Sequence, residues 1–165
     1  MIAMKNILVA TDFGEAADSA LRYGRELAGR FGATLHVLNV VENFYVTTFG
    51  AETYAAFVPD MQRELENTAR KRLDEALIDS DGSGPATKAV VMTSGSAAYA
   101  IVDYARENGI DLIVMGTHGR GVLAHLMMGS VAERVVRIAN CPVLTVRCPQ
   151  HEFVMPDTLV AAARA

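Results

Sequence analysis

The stretch from Asp111 to Val135 reads DLIVMGTHGRGVLAHLMMGSVAERV. Leu112, Ile113 and Val114 are apolar on consecutive positions rather than alternating, the mark of a strand buried on both faces, as in a parallel sheet covered by helices. Directly after the run come four glycines, Gly116, Gly119, Gly121 and Gly129. Glycine is entropically costly to order and is favoured where the chain needs a left-handed conformation or a close backbone approach. Gly129 is followed at once by Ser130 and a helical pattern. A buried strand, a glycine-rich connection and a helix make one unit of an α/β fold.

The same unit repeats in both directions. Apolar, β-branched runs recur at Lys5–Thr11 (KNILVAT), Thr34–Val40 (TLHVLNV), Thr87–Met92 (TKAVVM), Asp111–Gly116 and Pro142–Arg147 (PVLTVR). Between them lie helical rhythms of i, i+3, i+4 spacing. Ala17, Ala20, Leu21, Gly24, Leu27, Ala28 and Phe31 carry the first. Met61, Leu65, Ala69, Leu73, Ala76 and Leu77 carry the second. Ala98, Ile101, Val102 and Ala105 carry the third, closed by Gly109 at the usual stop position. Val131, Val135, Ile138 and Ala139 carry the fourth. Strict alternation of strand and helix predicts a doubly wound α/β domain, one sheet between two layers of helices.

Two segments stand outside the rhythm. Glu42–Val58 holds five of the eleven aromatic residues (Phe44, Tyr45, Phe49, Tyr54 and Phe57) and reads as a loop folded on the core, a subunit contact or a ligand lid. The tail, residues 148–165, is polar and then ends in MPDTLVAAARA. The domain is expected over residues 1–147.

Composition bounds the class. The chain of 165 residues is long enough to bury a core without staples, and 51% of it is hydrophobic and 21% charged. A net charge of −4 gives no electrostatic footprint for nucleic acid or an anionic membrane. No apolar run reaches the ~18–20 residues of a membrane span, and no cleavable leader is evident. Cys141 and Cys148 stand at the ends of an expected strand, too far apart for a disulfide. They read as thiols, and the chain as cytoplasmic.

In open α/β sheets, ligands bind beyond the carboxyl ends of the strands, where strand order reverses. Asp12 lies at the end of the first strand, just before a helix; the glycine segment follows the fourth. If these strands are neighbours, Asp12 faces Gly116–Ser130 across the crevice. Gly116, lacking a Cβ, would let something flat pass close to the backbone. Gly119 and Gly121 permit left-handed conformations that cost other residues ~1–2 kcal/mol. The helix opened by Gly129-Ser130 starts with N–H groups that have no intrahelical partner and carry partial positive charge, a ready anion site.

Each piece also has a plainer reading. Ser130 heads SVAE, a capping box in which the hydroxyl serves the helix and Glu133 reaches back. Asp12 could cap the first helix. His118 and His125 could be solvated loop histidines or lie near phosphates. The P-loop and the G-x-G-x-x-G fingerprint are absent, and no nucleophile–base set assembles. The lysines are Lys5, Lys71 and Lys88, and Lys5 lies at the wrong end of its strand. Phosphate charge would therefore be met by backbone N–H groups, by Arg120 or by Mg²⁺.

On these residues the chain resembles the universal stress protein family, in its ATP-binding branch. That branch's signature is Gly, two residues, Gly, nine residues, Gly and Ser or Thr. Here it is Gly116-Thr-His-Gly119, Arg120 to Met128, then Gly129-Ser130. ATDFG (Ala10–Gly14), DLIVMGTHG and GSVAERV with the following CPVLTV match the family's other stretches. The resemblance implies a five-stranded parallel sheet in the order 3-2-1-4-5, of the adenine-nucleotide α-hydrolase-like type, in homodimers that pair their last strands (142–147). It implies ATP, or ADP or AMP, with Mg²⁺. Val40 would meet the adenine through its backbone, Asp12 and Gly116 the ribose, and Gly119, Gly129, Ser130 and Val131 the phosphates. Ala10, Thr11 and Met115 at the strand ends, with His118 and Arg120, complete the expected nucleotide-binding set. Gly14 departs from the family, which usually places a capping Ser there.

Three functions are compatible with this reading: a nucleotide-binding module of the stress response, an interaction module of the same fold working through its dimer surface, and a slow ATPase. The intact glycine spacing favours the first over the second. No general base stands beside Ser130 or Thr117 in the sequence, which disfavours the third.

Overall fold

The computed structural model describes residues 2–43, 58–78, 84–117 and 128–147. Within them the chain runs β1 (Asn6–Ala10), α1 (Glu15–Phe31), β2 (Thr34–Glu42), α2 (Val58–Ala76), β3 (Thr87–Ser94), α3 (Ala97–Glu107), β4 (Leu112–Gly116), α4 (Ser130–Ile138) and β5 (Val143–Val146). The five strands form one sheet in the order β3-β2-β1-β4-β5, with every neighbouring pair parallel. This is the doubly wound arrangement expected from the alternation, in the order implied by the resemblance.

Successive strand residues point to opposite faces, and the core divides accordingly. Ile7, Val9, Val37 and Val114 face one side, where Ala20, Leu21 and Ala28 of α1 and Leu73 of α2 cover them. Leu8, Leu38, Ile113 and Met115 face the other, under Ile101 and Ala105 of α3 and Val135 of α4. Ile7, Leu8 and Val9 are fully buried in a row, which is what consecutive apolar residues in a central strand require. One polar side chain sits deep in the second layer. His36 of β2 is 1% exposed, its Nδ1 is 2.8 Å from the Tyr104 hydroxyl, and its Nε2 has no hydrogen-bond partner among the described residues.

The expected helices are all present, but two turn a different face inward. On α2 the buried residues are Gln62, Ala69 and Leu73, while Met61 and Leu65 are 48% and 37% exposed. The reason is polar. Thr93, near the end of edge strand β3, donates to the Glu66 carboxylate at 2.6 Å, and Gln62 reaches the same carboxylate. The first half of α2 is thereby turned so that its amide and carboxylate, not its apolar stripe, meet the sheet. On α4, Ala132 and Val135 are buried; Val131 and Ile138 are not, and Ala139 is the C-cap. α3 ends as expected, with Gly109 at φ +58° just beyond its last turn. Cys141 is half-buried with a free thiol, and burial pushes that thiol's pKa up. No described helix is long and apolar enough to cross a membrane. The aromatic residues of the 42–58 segment, the tail 148–165 and Cys148 lie outside the described residues.

Candidate functional site

β1 and β4 lie side by side, Ala10 opposite Met115. The chain winds from β1 toward β2 and β3 on one side and resumes at β4 and β5 on the other, so the sheet reverses between β1 and β4. Two strand-to-helix corners flank that point.

The first corner is tight, from Thr11 to Gly14. Thr11 N–H donates to the Leu38 carbonyl at 2.9 Å. The Asn39 side-chain amide donates to the Thr11 carbonyl at 2.8 Å. The Thr11 hydroxyl oxygen accepts the Phe13 N–H and Asp12 Oδ1 accepts the Gly14 N–H, both at 3.0 Å. Phe13 is held at φ +61°, a conformation that costs a bulky L-residue ~1–2 kcal/mol and persists only where its surroundings impose it. The N-cap of α1 is Gly14, with no side-chain cap. Asp12 therefore does not cap the helix. It closes a turn with one oxygen, because the turn places it two residues before the cap.

The second corner spans more sequence, and its two ends lie among the described residues. β4 ends at Gly116, and Thr117 N–H donates to the Val146 carbonyl at 2.8 Å. The chain comes back at Gly129, whose N–H donates to the Thr117 carbonyl at 2.6 Å. Gly129, not Ser130, is the N-cap of α4, and no side chain caps it. Glu133 pairs with Arg137 one turn on, at 2.8 Å, a favoured i, i+4 order, instead of reaching back. The capping-box reading of Ser130 is thus corrected: one residue inside the helix, its hydroxyl is not spent on the cap. The first intrahelical bond runs from Glu133 N–H to the Gly129 carbonyl, leaving the N–H groups of Ser130, Val131 and Ala132 without intrahelical acceptors.

Gly116 also has a different reason from the one its position suggests. A Cβ there would lie 2.8 Å from the Ala16 Cβ and 2.9 Å from the Ala16 carbonyl carbon. The glycine is needed because the first turn of α1 rests on the end of β4. Gly129, at φ −63° and ψ 148°, holds a conformation open to any residue.

Between the corners lies a cavity of about 240 Å³. Ala10, Thr11, Asp12, Val40, Met115, Gly116, Gly129, Ser130 and Val131 all line it. His118, Gly119 and Arg120 lie outside the described residues, as do Gly121 and His125. Six lining residues were not anticipated as such: Ala17, Leu38, Ala97, Ile101, Thr117 and Ala132. Ile101 reads in sequence as core, and only the placement of α3 over the strand ends makes it a wall. The wall is apolar at Leu38, Val40, Ile101 and Met115, and polar at Thr11, Asp12, Ser130 and the start of α4. Asp12 is its one charged side chain among the described residues. No cluster of three or more metal-ligating side chains occurs among the described residues. Such a space suits a flat apolar group at one end, a hydroxyl donor at the carboxylate, and an anion at the helix tip.

A model of the universal stress protein family matches residues 4–147. A universal stress protein of Methanocaldococcus jannaschii is 32% identical over 148 residues, 90% of this chain and 85% of the relative. The solved structure of universal stress protein UspA from Lactobacillus plantarum is 26% identical, with a TM-score of 0.71 over 89% of this chain and all of that one. A universal stress protein solved in complex with cAMP shares the fold at 22% identity and a TM-score of 0.60, covering 88% of this chain and 98% of that one.

Proposed function

This chain belongs to the universal stress protein family, and from that membership we propose that it is a regulatory module of the stress response that holds an adenine nucleotide, ATP or its ADP or AMP forms, in the cavity between the two corners. The observation that carries the reading is convergence. Residues from four separate stretches of sequence, Ala10–Asp12, Val40, Met115–Gly116 and Gly129–Val131, line one cavity at the reversal point of the sheet.

In the proposed complex the adenine lies against Val40 and the apolar wall. One Asp12 oxygen is committed to Gly14, and the other accepts from the ribose hydroxyls near Gly116. The phosphates lie at the positive tip of α4, on the N–H groups of Ser130 and Val131 and on the Ser130 hydroxyl, with Gly119, His118 and Arg120 completing the cradle. Peptide amides replace the lysine of other phosphate sites. Mg²⁺ would come in on the phosphates, which bind it together with water rather than in an all-protein cage. The role proposed is binding, not turnover. β5 stands at the end of the sheet, and an edge strand offers unpaired N–H and C=O groups. A second copy pairing there would make the expected homodimer.

Heat-denaturing the purified protein and identifying released small molecules by mass spectrometry, with calorimetric titration of Mg-ATP, tests the proposal. About one adenine nucleotide per chain, or saturable heat at 1:1, is the expected result. No purine and no heat would overturn it and leave the interaction module as the surviving function.

A further inference from the structure

We propose that Arg72, on a helix that contributes nothing to the cavity wall, is a positioning residue for Asp12 that acts through the ring of Phe13, a role that rests on the proposed contact between the Asp12 carboxylate and a ligand. Phe13 is the one non-glycine residue with a positive φ among the described residues. Glycine or asparagine would hold that conformation with less strain. A phenylalanine there is accounted for if its ring is used.

The ring is held on two sides. Beneath, it packs against the core cluster that contains Val9 and Leu73. Above, the Arg72 guanidinium carbon lies 4.5 Å from the ring centroid, within reach of a cation–π contact. Arg72 is exposed, and among the described residues it forms no ion pair, so this contact is what its charge does in the fold. The other restraints on the corner are hydrogen bonds to backbone: the Thr11 hydroxyl oxygen accepting from Phe13, Asp12 accepting from Gly14, Asn39 donating to the Thr11 carbonyl, and the Thr11 N–H donating to the Leu38 carbonyl. None of them grips the Phe13 side chain. With the guanidinium gone, the ring keeps only its apolar packing beneath, and φ gains freedom to relax toward negative values. The Asp12 carboxylate, one residue earlier, then swings out of register with the cavity. α2 reaches the site in this way without touching it.

The test uses Arg72→Gln, with Arg72→Lys as the conservative variant, each in the full chain. Arg72→Gln should lower Mg-ATP affinity about threefold, the scale of an exposed cation–π contact. It should also speed hydrogen exchange of the Gly14 amide by a similar factor, while the thermal midpoint moves little. Arg72→Lys should recover part of both. In an Asp12→Asn background, Arg72→Gln should cost no further affinity. The same loss in both backgrounds, or unchanged Gly14 exchange, overturns the inference. If the unmodified protein binds no adenine nucleotide, the functional proposal falls, and Gly14 exchange still decides whether Arg72 holds the corner.

Discussion

The two corners at the reversal point of the sheet solve opposite problems. At Thr11–Gly14 a short turn carries a carboxylate, and the structure surrounds it with side-chain hydrogen bonds and accepts a left-handed phenylalanine. At the second corner the groups proposed to meet a ligand are peptide N–H at the start of α4, and a backbone bond from Gly129 to Thr117 joins the two described ends. A carboxylate on a rotatable side chain has to be aimed, whereas amides at a helix tip are aimed by the helix itself. The first corner should therefore be sensitive to what surrounds it, and the second to what is added to it.

The largest effect expected from this contrast is at Gly129. Gly129→Val is compatible with the backbone there, so the fold should survive, while the added bulk stands in the phosphate path. Mg-ATP affinity should drop by a hundredfold or more, about 2.7 kcal/mol, with an unfolding midpoint close to that of the parent. Unchanged affinity by calorimetry would break the contrast, since the second corner would then tolerate addition. Gly116→Val is the reverse case. Its Cβ would press on the backbone of Ala16, so it should lower stability by about 2 kcal/mol, the usual scale of overpacking, read by urea unfolding.

Asp12→Asn comes next and sharpens the first corner. Asparagine keeps an oxygen for Gly14 and loses the charge. Affinity should fall about tenfold, near 1.4 kcal/mol, with stability almost unchanged. A stability loss equal to the binding loss would mean that the carboxylate serves the turn and not a ligand.

Away from both corners, His36 supplies a control. Burial, and then the nearby Lys88 charge, hold its pKa below 6.5. The unfolded chain takes up a proton near pH 6.5 and the folded one only at lower pH, so in that window the unfolded state binds more protons. Stability should be flat from this cause above pH 6.5. As pH falls below it, stability should decline by up to ~1.4 kcal/mol per pH unit, until the folded pKa is passed. His36→Leu should remove this slope. Since His36 is remote from Asp12 and Ser130 in the sheet, nucleotide affinity of the folded protein should not follow it.

Much of this was legible in the sequence, for identifiable reasons. Ile7-Leu8-Val9 and Leu112-Ile113-Val114 are apolar on both faces, and only a covered parallel strand accommodates that. The position of Asp12 and Gly116 beside the cavity was legible because ligands gather beyond the carboxyl ends of the strands where strand order reverses, whereas Val40 entered only through the family resemblance. The inward faces of α2 and α4 were not. On α2 two stripes share Ala69 and Leu73, and the choice between Met61–Leu65 and Gln62–Glu66 is made by Thr93, a residue on a strand distant in sequence. For Gly116 the position was legible but the cause was not, because the neighbour it makes room for, Ala16, comes from another corner.

The smallest effect expected is at Ser130, and it discriminates most finely. A serine that caps a helix costs about 1 kcal/mol when replaced by alanine. Ser130 is not the cap: Gly129 occupies that position and Glu133 is paired with Arg137. Ser130→Ala should therefore change stability by less than about 0.5 kcal/mol, as a surface substitution does, while Mg-ATP affinity falls severalfold through the lost hydroxyl. Measured together, the two numbers separate a hydroxyl that serves the helix from one that serves the cavity. A stability loss near 1 kcal/mol with affinity intact would return Ser130 to the capping box and leave the second corner built from main chain alone.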